Sequence, residues 1–579
     1  MNRVSAHGNM TRWQSALRTL LYGRGVNRNV KAKARLGLAV VAFAGIYCVI
    51  ALRLVMFAAA GNDNNGRHSI SQDAVATARP DILDRNGEII ATDVKAPSLY
   101  AEPRKLIDRD EAEELLTATL PDLDAKEVRS RLASKRGFVW LKRELTPRQE
   151  QEIHRLGIPG IGFLTENKRV YPNGATVSQL IGLVDIDNKG IAGIEQWLDS
   201  QGLAALHMAG LATDRLEPVT LSLDLRVQFA LRDELTKARE KFKAKAAAGV
   251  VLNVNTGEVL ALVSEPDYDP NNPREAHDPD RINRMTTGVY EMGSTFKALT
   301  LAMALDSGRV NLNSTFDART PLRFGRFTIH DYHAQNRILT MPEVFTYSSN
   351  KATARMALSF GVDYHKAYLA KMGQLTKLQT ELPGAGDPHW PKKHWGELNT
   401  ATIAFGHGLS VAPLQAAMGV AATVNGGFLI TPTFLKRSPE QAMRIAQRVL
   451  KPETSQKMRY LMRLNAEKGT ATFANVPGYY IGGKTGTAEK VINGRYSQHR
   501  LMTDFMAILP ADKPQYLLLI MLDEPQPTKE THGFATAGWN AGPTAAKVIE
   551  RVAPLLDLEP RFNLPDADRL ILAKATETR

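Results

Sequence analysis

The chain has 579 residues, enough for roughly two to four domains and a large core. Its composition, 44% hydrophobic and 23% charged, is that of a globular protein and excludes wholesale disorder and fibrous repeats. The net charge of +13 is not a nucleic-acid signal: eight positive charges (Arg3, Arg12, Arg18, Arg24, Arg28, Lys31, Lys33 and Arg35) fall in residues 1–35, which hold no acid, and Arg53 supplies a ninth.

In chain order, the basic segment 1–35 reads as a cytoplasmic tail. Within it Arg12–Tyr22 reads either as an amphipathic helix on the inner leaflet or as a disordered arm. An apolar run of 17 residues, Leu36–Leu52, follows and resumes from Leu54 to Ala60. Residues 36–60 are therefore expected to form a transmembrane helix, since about 20 apolar residues span a bilayer. The preceding charge puts the N-terminus inside, and Arg53 can snorkel to the headgroups. Ala58-Ala59-Ala60 resembles a signal-peptide cleavage site, but the leader and the span are both too long for one. No second run of this length follows, so the expectation is a single-pass protein with its bulk outside. The one cysteine, Cys48, lies in the apolar run. That excludes an internal disulfide, a zinc finger and an iron–sulfur site, and it argues against cysteine catalysis.

Residues 61–78 are polar and Gly/Asn-rich, a stalk. Residues 79–225 read as an α+β module. Asp81–Ala91 is expected to be strand, Asn86-Gly87 turn, strand; 108–156 is helix-patterned; 166–225 returns to short strands and turns. A second module, 226–556, opens with a helix over Val227–Lys243 and a hairpin over Gly249–Val263, turning at Asn255–Gly257. A helix-rich middle covers 294–470. Strands are expected around 479–491, at Phe505–Leu509 and at Tyr516–Leu522, then a helix over 541–556. Strands at both ends with helices between predict an antiparallel sheet built from the two ends of the module. The tail 557–579 is weakly patterned.

Three short motifs carry chemistry. In Gly293-Ser294-Thr295-Phe296-Lys297, Ser294 and Lys297 are one helical turn apart, so a neutral Lys297 could take the Ser294 proton. S-x-x-K arises about twice by chance in a chain of this length, and Ser348-Ser349-Asn350-Lys351 is a second instance. Ser348-Ser349-Asn350 is also an S-x-N triplet, 54 residues after Ser294, and Lys484-Thr485-Gly486-Thr487 follows 136 residues later. A K-T-G tripeptide is expected only about 0.1 times at random. The ordered trio is the active-site set of penicillin-binding proteins and serine β-lactamases, and the chain resembles that superfamily. The family order makes Ser294, not Ser348, the nucleophile. Arg79-Pro-Asp-Ile-Leu-Asp-Arg-Asn-Gly87, Arg169-Val-Tyr-Pro-Asn-Gly174, Gly190-Ile-Ala-Gly-Ile-Glu195 and Thr220-Leu-Ser-Leu-Asp224 resemble the pedestal of class B penicillin-binding proteins. Thr256–Ala261 and Leu409–Gln415 resemble stretches of the transpeptidase domain. No segment resembles the glycosyltransferase domain of class A.

Other motifs read differently. Gly478–Thr485 fits the phosphate-loop pattern, but Tyr479-Tyr480-Ile481 reads as strand and Gly486 follows where a helix should start. His330 and His333 lack a third ligand cluster and read as solvated rather than as a metal pair. His407, in Phe405-Gly-His-Gly408, reads either as a group near the cleft or as a turn residue.

The resemblance implies a fold and a reaction. The fold is a single-pass anchor, an α+β pedestal (dimerisation-like) domain and a transpeptidase domain with an antiparallel sheet flanked by helices. The reaction is cross-linking of peptidoglycan stem pentapeptides through a serine acyl-enzyme that β-lactams also form, with no metal or other cofactor and no nucleic-acid partner. Ser294 would attack the penultimate D-Ala carbonyl, Lys297 would act as base, and Ser348 with Asn350 would relay protons. Lys484, Thr485, Gly486 and Thr487 would bind substrate. The location implied is the bacterial inner membrane, catalytic domain in the periplasm, with the membrane glycosyltransferase FtsW and other divisome proteins as partners. Tyr290-Glu291-Met292-Gly293-Ser294 favours the division branch over elongation, although Met292 stands where both branches usually have proline. A β-lactamase or β-lactam sensor, and an idle scaffold, are the alternatives from other classes. Of the acids between S-x-N and K-T-G (Asp363, Glu381, Asp387 and Glu397 among them), none lies in a segment resembling the deacylation loop of β-lactamases.

Overall fold

The computed structural model describes residues 28–60, 78–203, 216–492 and 494–572; Arg12–Tyr22 and stalk residues 61–77 lie outside them. Arg28–Ala60 is one 33-residue helix in a unit of its own, with Val40, Val41, Phe43, Ile46, Val49 and Leu52 exposed. Among the described residues no helix is long and apolar enough to cross a membrane.

The second unit runs from Val75 onward. Its N-terminal module begins as the sequence predicts. Ile82–Leu83 turns back onto the long strand Ile89–Ala101, and the Asp84 carboxylate caps the turn by accepting from the backbone N–H of Asn86 and Glu88 at 2.7 and 2.9 Å. The long strand also pairs with Val139–Lys142 and Ile161–Val170. Helices Arg109–Thr119, Ala125–Leu132 and Pro147–His154 start at the N-caps Asp108, Asp124 and Thr146, residue types that satisfy free N–H groups. They bury Leu116, Leu132 and Ile153 against Leu99. The segment expected to be helical throughout is thus interrupted by a strand at Val139–Lys142, where burial alternates residue by residue.

Three pedestal-like motifs meet in space. Glu195, fully buried, holds Arg79 Nε at 2.8 Å and Arg169 Nε at 2.7 Å. Asp199 and Asp93 take the other sides of these guanidiniums at 2.8 and 3.1 Å. Buried charge is tolerated because each guanidinium is paired and hydrogen-bonded.

The C-terminal module has the sheet the sequence predicts. Strands β1 (Ala246–Asn253), β2 (Val259–Glu265), β3 (Gly482–Ile492), β4 (Arg495–Leu509) and β5 (Tyr516–Asp523) run in the order β3-β4-β5-β1-β2, all antiparallel. Helix α1 (Leu225–Lys241) and the C-terminal helix Ala541–Leu555 cover one face through Leu231, Ala545 and Val548. The other face carries helix α2 (Lys297–Asp306) and the helical middle.

Three sequence expectations change. Tyr479-Tyr480-Ile481 is irregular, with Tyr480 at φ 44°, and β3 starts at Gly482; Lys484 and Thr485 are strand residues, so no phosphate loop forms. Strand β4 begins ten residues before the expected Phe505, because its first half is an exposed hairpin without a buried face to betray it. The two modules also pack together: Ile82, Ile90 and Leu221 share one core with Leu252, Leu299 and Phe345. The described part of the tail, 557–572, docks onto the body through Arg561–Asp512 at 2.8 Å, Tyr480 OH donating to Pro565 O at 2.7 Å, and the buried Ala567. Such isolated anchors leave no periodicity to read.

The buried charge cluster gives a stability expectation. Glu195→Ala leaves two guanidiniums facing each other without their shared carboxylate and should cost about 3–5 kcal/mol. A denaturant titration that monitors the N-terminal module should show the lower midpoint.

Candidate active site

Ser294 stands on a tight turn, Gly293–Phe296, that feeds helix α2. Gly293 has φ 52°, and a Cβ there would come within 2.8 Å of Thr487 O and 3.2 Å of Thr487 N. Glycine is required on both counts, and the close approach sets the Ser294 backbone beside that of Thr487. The N–H groups of a first helical turn have no intrahelical partner. Helix α2 is apolar all round and buried from Lys297 to Leu305, so Lys297, one turn beyond Ser294, is carried out of water. Its Nζ lies 3.0 Å from Ser294 Oγ.

The second motif forms a turn ahead of helix α3 (Asn350–Phe360), whose N-cap is Ser349. Ser348 sits at φ 56°, a left-handed conformation that a serine adopts only when its surroundings impose it. The imposed geometry offers Lys297 Nζ two partners, Ser348 O at 2.5 Å and Ser348 Oγ at 2.9 Å. From the other side Lys484 Nζ lies 2.9 Å from the same Oγ. One hydroxyl thus joins two lysines, and both lysines are fully buried.

Burial, then the Lys484 charge, pushes the Lys297 ammonium well below the ordinary lysine range, with Asp331 opposing. Burial also lowers Lys484, with Asp504 opposing. Lys297 is therefore suited to be a neutral base at neutral pH.

The remaining expected residues fall around this junction. Thr485 Oγ1 donates to Thr470 Oγ1 at 2.8 Å, and Thr487 Oγ1 accepts from Ala537 N at 3.2 Å. Gly486 lies between them on β3. Asn350 starts α3, but its amide donates to His330 O at 3.0 Å and makes no hydrogen bond to the serines or lysines. His330 and His333 are both exposed. His407 lies beside the cleft, its ring 5.7 Å from that of Tyr496; burial and the nearby Lys297 pull it down to about 4.

Sequence reasoning missed two acids. Asp331 stands inside the His330–His333 segment read as solvated loop. Its carboxylate accepts from Ser349 Oγ at 2.8 Å and Lys351 N at 2.9 Å, which fixes the turn that carries Ser348. Asp504, on β4, is completely buried behind Gly486; its place in an apolar stretch was the available signal. Thr470 was also missed, as was a group of packed rings next to the Ala537 loop, in which Phe534 stacks on Trp539 and Phe473 meets it at a tilt. None of the four acids weighed as water-activating groups makes a hydrogen bond to Ser294, Lys297 or Ser348. Glu381 is spent on Thr433 Oγ1 at 2.5 Å and Phe434 N at 2.9 Å, and Asp363, Asp387 and Glu397 are exposed.

The chain is similar to known proteins. Residues 247–550 match the penicillin-binding protein transpeptidase domain and residues 74–201 the penicillin-binding protein dimerisation domain. The chain is 41% identical over 500 residues to a probable peptidoglycan D,D-transpeptidase FtsI of Caulobacter vibrioides, covering 85% of this chain and 83% of that one. It is 30% identical over 524 residues to the peptidoglycan D,D-transpeptidase FtsI of Escherichia coli K12, covering 85% and 86%. A peptidoglycan synthetase from Bifidobacterium adolescentis superposes with a TM-score of 0.66 at 23% identity, covering 85% of this chain and 98% of that one, and so shares the fold.

The two lysines give a pH expectation. The Lys484 charge helps hold Lys297 down, so Lys484→Ala should let the Lys297 pKa rise. More of the base is then protonated at a given pH, and the acid limb of the rate of serine acylation by penicillin should move to higher pH. A stopped-flow pH profile of the two proteins checks the direction of the shift.

Proposed function

The chain belongs to the class B penicillin-binding proteins and is a serine-type peptidoglycan D,D-transpeptidase, and from that premise we propose the role of each residue in the cleft. The observation that carries the assignment is the unbroken line Ser294 Oγ, Lys297 Nζ, Ser348 Oγ, Lys484 Nζ, with successive separations of 3.0, 2.9 and 2.9 Å. Neutral Lys297 takes the Ser294 proton as Oγ attacks the penultimate D-Ala carbonyl. The carbonyl oxygen becomes an oxyanion between the backbone N–H groups of Ser294 and Thr487, donors already in place before charge develops. Ser348, hydrogen-bonded to both lysines, passes a proton to the departing terminal D-Ala nitrogen as the C–N bond breaks and takes in its place the proton that Lys297 holds, leaving an ester to Ser294 and a neutral Lys297. The amine of a neighbouring stem then attacks the ester carbonyl, losing its proton to Lys297; the C–O bond to Ser294 breaks, and Lys297 returns the proton to Ser294 Oγ. Lys484 with the Thr485 and Thr487 hydroxyls holds the substrate's terminal carboxylate, and Asn350 contributes through its position at the start of α3.

A β-lactam presents a strained amide and a carboxylate to the same groups, but its leaving group stays attached. Water would have to be activated to clear the adduct, and of the four acids weighed for that task Glu381 is held by Thr433 and Phe434 while the other three are exposed. The penicilloyl ester on Ser294 should therefore outlast a catalytic turnover by orders of magnitude. Lys297→Ala should abolish its formation. Peptide mapping of the labelled protein and the decay of bound fluorescent penicillin check both; an adduct on 348–351, or one cleared within seconds, would refute the scheme and favour a β-lactamase.

The proposed setting is septal wall synthesis. It is supported by Tyr290-Glu291-Met292-Gly293-Ser294 and by relatives named FtsI. The implied partners are the glycosyltransferase FtsW and other divisome proteins. The helix over Arg28–Ala60 with its exposed apolar side chains, after a basic leader, supports a retained inner-membrane anchor and a periplasmic catalytic domain. Depletion in the host should give filaments, with the chain in the membrane fraction keeping its N-terminal segment. Round cells would assign it to elongation, and a mature N-terminus near Gly61 would overturn the anchor.

A further inference from the structure

Strand β3 opens Gly482-Gly483-Lys484-Thr485-Gly486-Thr487, with three glycines and no apolar side chain. A one-residue slip turns every side chain of a strand to the opposite face, and register is weakly specified where a strand is rich in glycine. In the register observed, with Lys484 opposite Met506 on β4, Lys484 is completely buried and reaches Ser348 Oγ at 2.9 Å. A slip would set Lys484 on the face where Thr485 now meets Thr470, away from Ser348. β3 is also an edge strand, paired on one side only. The apolar pattern that usually chooses a face is missing from the residues that carry the chemistry, so the choice rests on contacts at the strand's entry.

Those contacts converge from two directions. Helix α4 (Pro452–Lys468) grips the entry: Asn465 Nδ2 donates to Gly483 O at 2.8 Å, and Arg463 donates to Ile481 O at 2.8 Å. The Arg463 guanidinium also lies over the Tyr480 ring, 4.4 Å from its centre. Tyr480 is left-handed, φ 44°, a conformation that a tyrosine keeps only where its surroundings hold it. Its carbonyl accepts from Ala511 N at 2.7 Å, and its hydroxyl donates to Pro565 O in the tail at 2.7 Å. The tail closes the circuit. Arg561 N donates to Gly478 O at 2.7 Å, and Glu467 on α4 accepts from both Ala567 N and Arg463 Nε, at 3.1 and 2.8 Å. Farther along, Gln456 on α4 donates to Leu570 O at 3.0 Å. The tail is thus fastened both to the segment before β3 and to the helix that holds that segment's carbonyls.

We propose that residues 557–572 are a strap that pins the register of β3, acting through Tyr480 as a positioning residue, so that Lys484 enters the cleft with its amine inward. The inference rests on the role assigned to Lys484 above. The strap is seated by apolar contact as well as by hydrogen bonds: Ala567 is buried, and Leu564, Leu570 and Ile571 pack against the core. A strand whose own side chains do not choose a face is given one by a segment that follows it by more than sixty residues.

The experiment compares the full chain, in detergent, with two variants. Tyr480→Phe removes one hydroxyl, and Ala567→Asp sets a carboxylate beside Glu467 at a position that is 0% exposed. Two quantities are measured on each: the second-order rate of labelling by fluorescent penicillin, and amide hydrogen exchange by mass spectrometry, resolved into peptides of β3, of the tail, and of the central strands β5 and β1. Tyr480→Phe should slow labelling about fivefold, the effect of one lost hydrogen bond, and Ala567→Asp at least about tenfold. Exchange should rise over 482–492 in both variants while β5 and β1 stay as protected as in the wild type. Tyr480→Phe labelling and exchanging like the wild type would overturn the proposal. So would a freed tail, with exchange rising over 557–572, that leaves β3 protected and labelling unchanged. Exchange rising in every strand together in both variants would make the tail a general support of the fold and overturn it as well. A wild type that does not label at Ser294 would instead sink the reading of the cleft, with the exchange pattern still deciding on the strap.

Discussion

Two lysines buried on either side of one hydroxyl set the terms for the rest of the molecule. Ser348 Oγ lies 2.9 Å from both Lys297 and Lys484, and a buried ammonium costs several kcal/mol unless it is compensated. The fold holds both amines there because three separate elements converge: a helix apolar on every side, a serine in a left-handed turn, and an edge strand. Burial makes one amine basic without being charged, and the hydroxyl between them couples the two. Reactivity here is a consequence of desolvation, and desolvation is a consequence of packing.

The two modules handle buried charge in opposite ways. In the N-terminal module, Glu195 binds Arg79 and Arg169 at 2.8 and 2.7 Å, and the charges stay because opposite signs are matched. In the cleft, like charges are pressed together, and one gives up its proton. The first arrangement fixes a shape; the second stores a chemical potential.

Much of this was legible in the sequence because the chemistry is carried by short, ordered motifs. Ser294, Lys297, Ser348 and Lys484 are brought together as their order implied, and the sheet assembled from the two ends of the module follows from the positions of its apolar runs. What stayed hidden depends on tertiary contact. Nothing in the sequence says that Asp331 reaches the turn carrying Ser348, or that Asp504 fills the space above Gly486. Strand β4 was read short because its first half is exposed and polar, and the docking of residues 557–572 depends on single residues without a period. Asn350 shows the converse: its position was foreseen, but its amide is spent on His330 O at 3.0 Å.

The strand order β3-β4-β5-β1-β2 bears on how the protein is made. The nucleophile and its base are polymerised early, but the strand that supplies Lys484 follows some way down the chain, and β5, which joins that hairpin to β1, comes later still. Contacts this distant in sequence close slowly. While the chain emerges, Ser294 has no second lysine beside it, no Thr487 amide for an oxyanion, and no closed sheet to keep water from Lys297. It is an ordinary serine next to an ordinary ammonium. The order of the strands therefore acts as a timer, withholding reactivity from a growing or truncated polypeptide until the last strands of the sheet have been laid down.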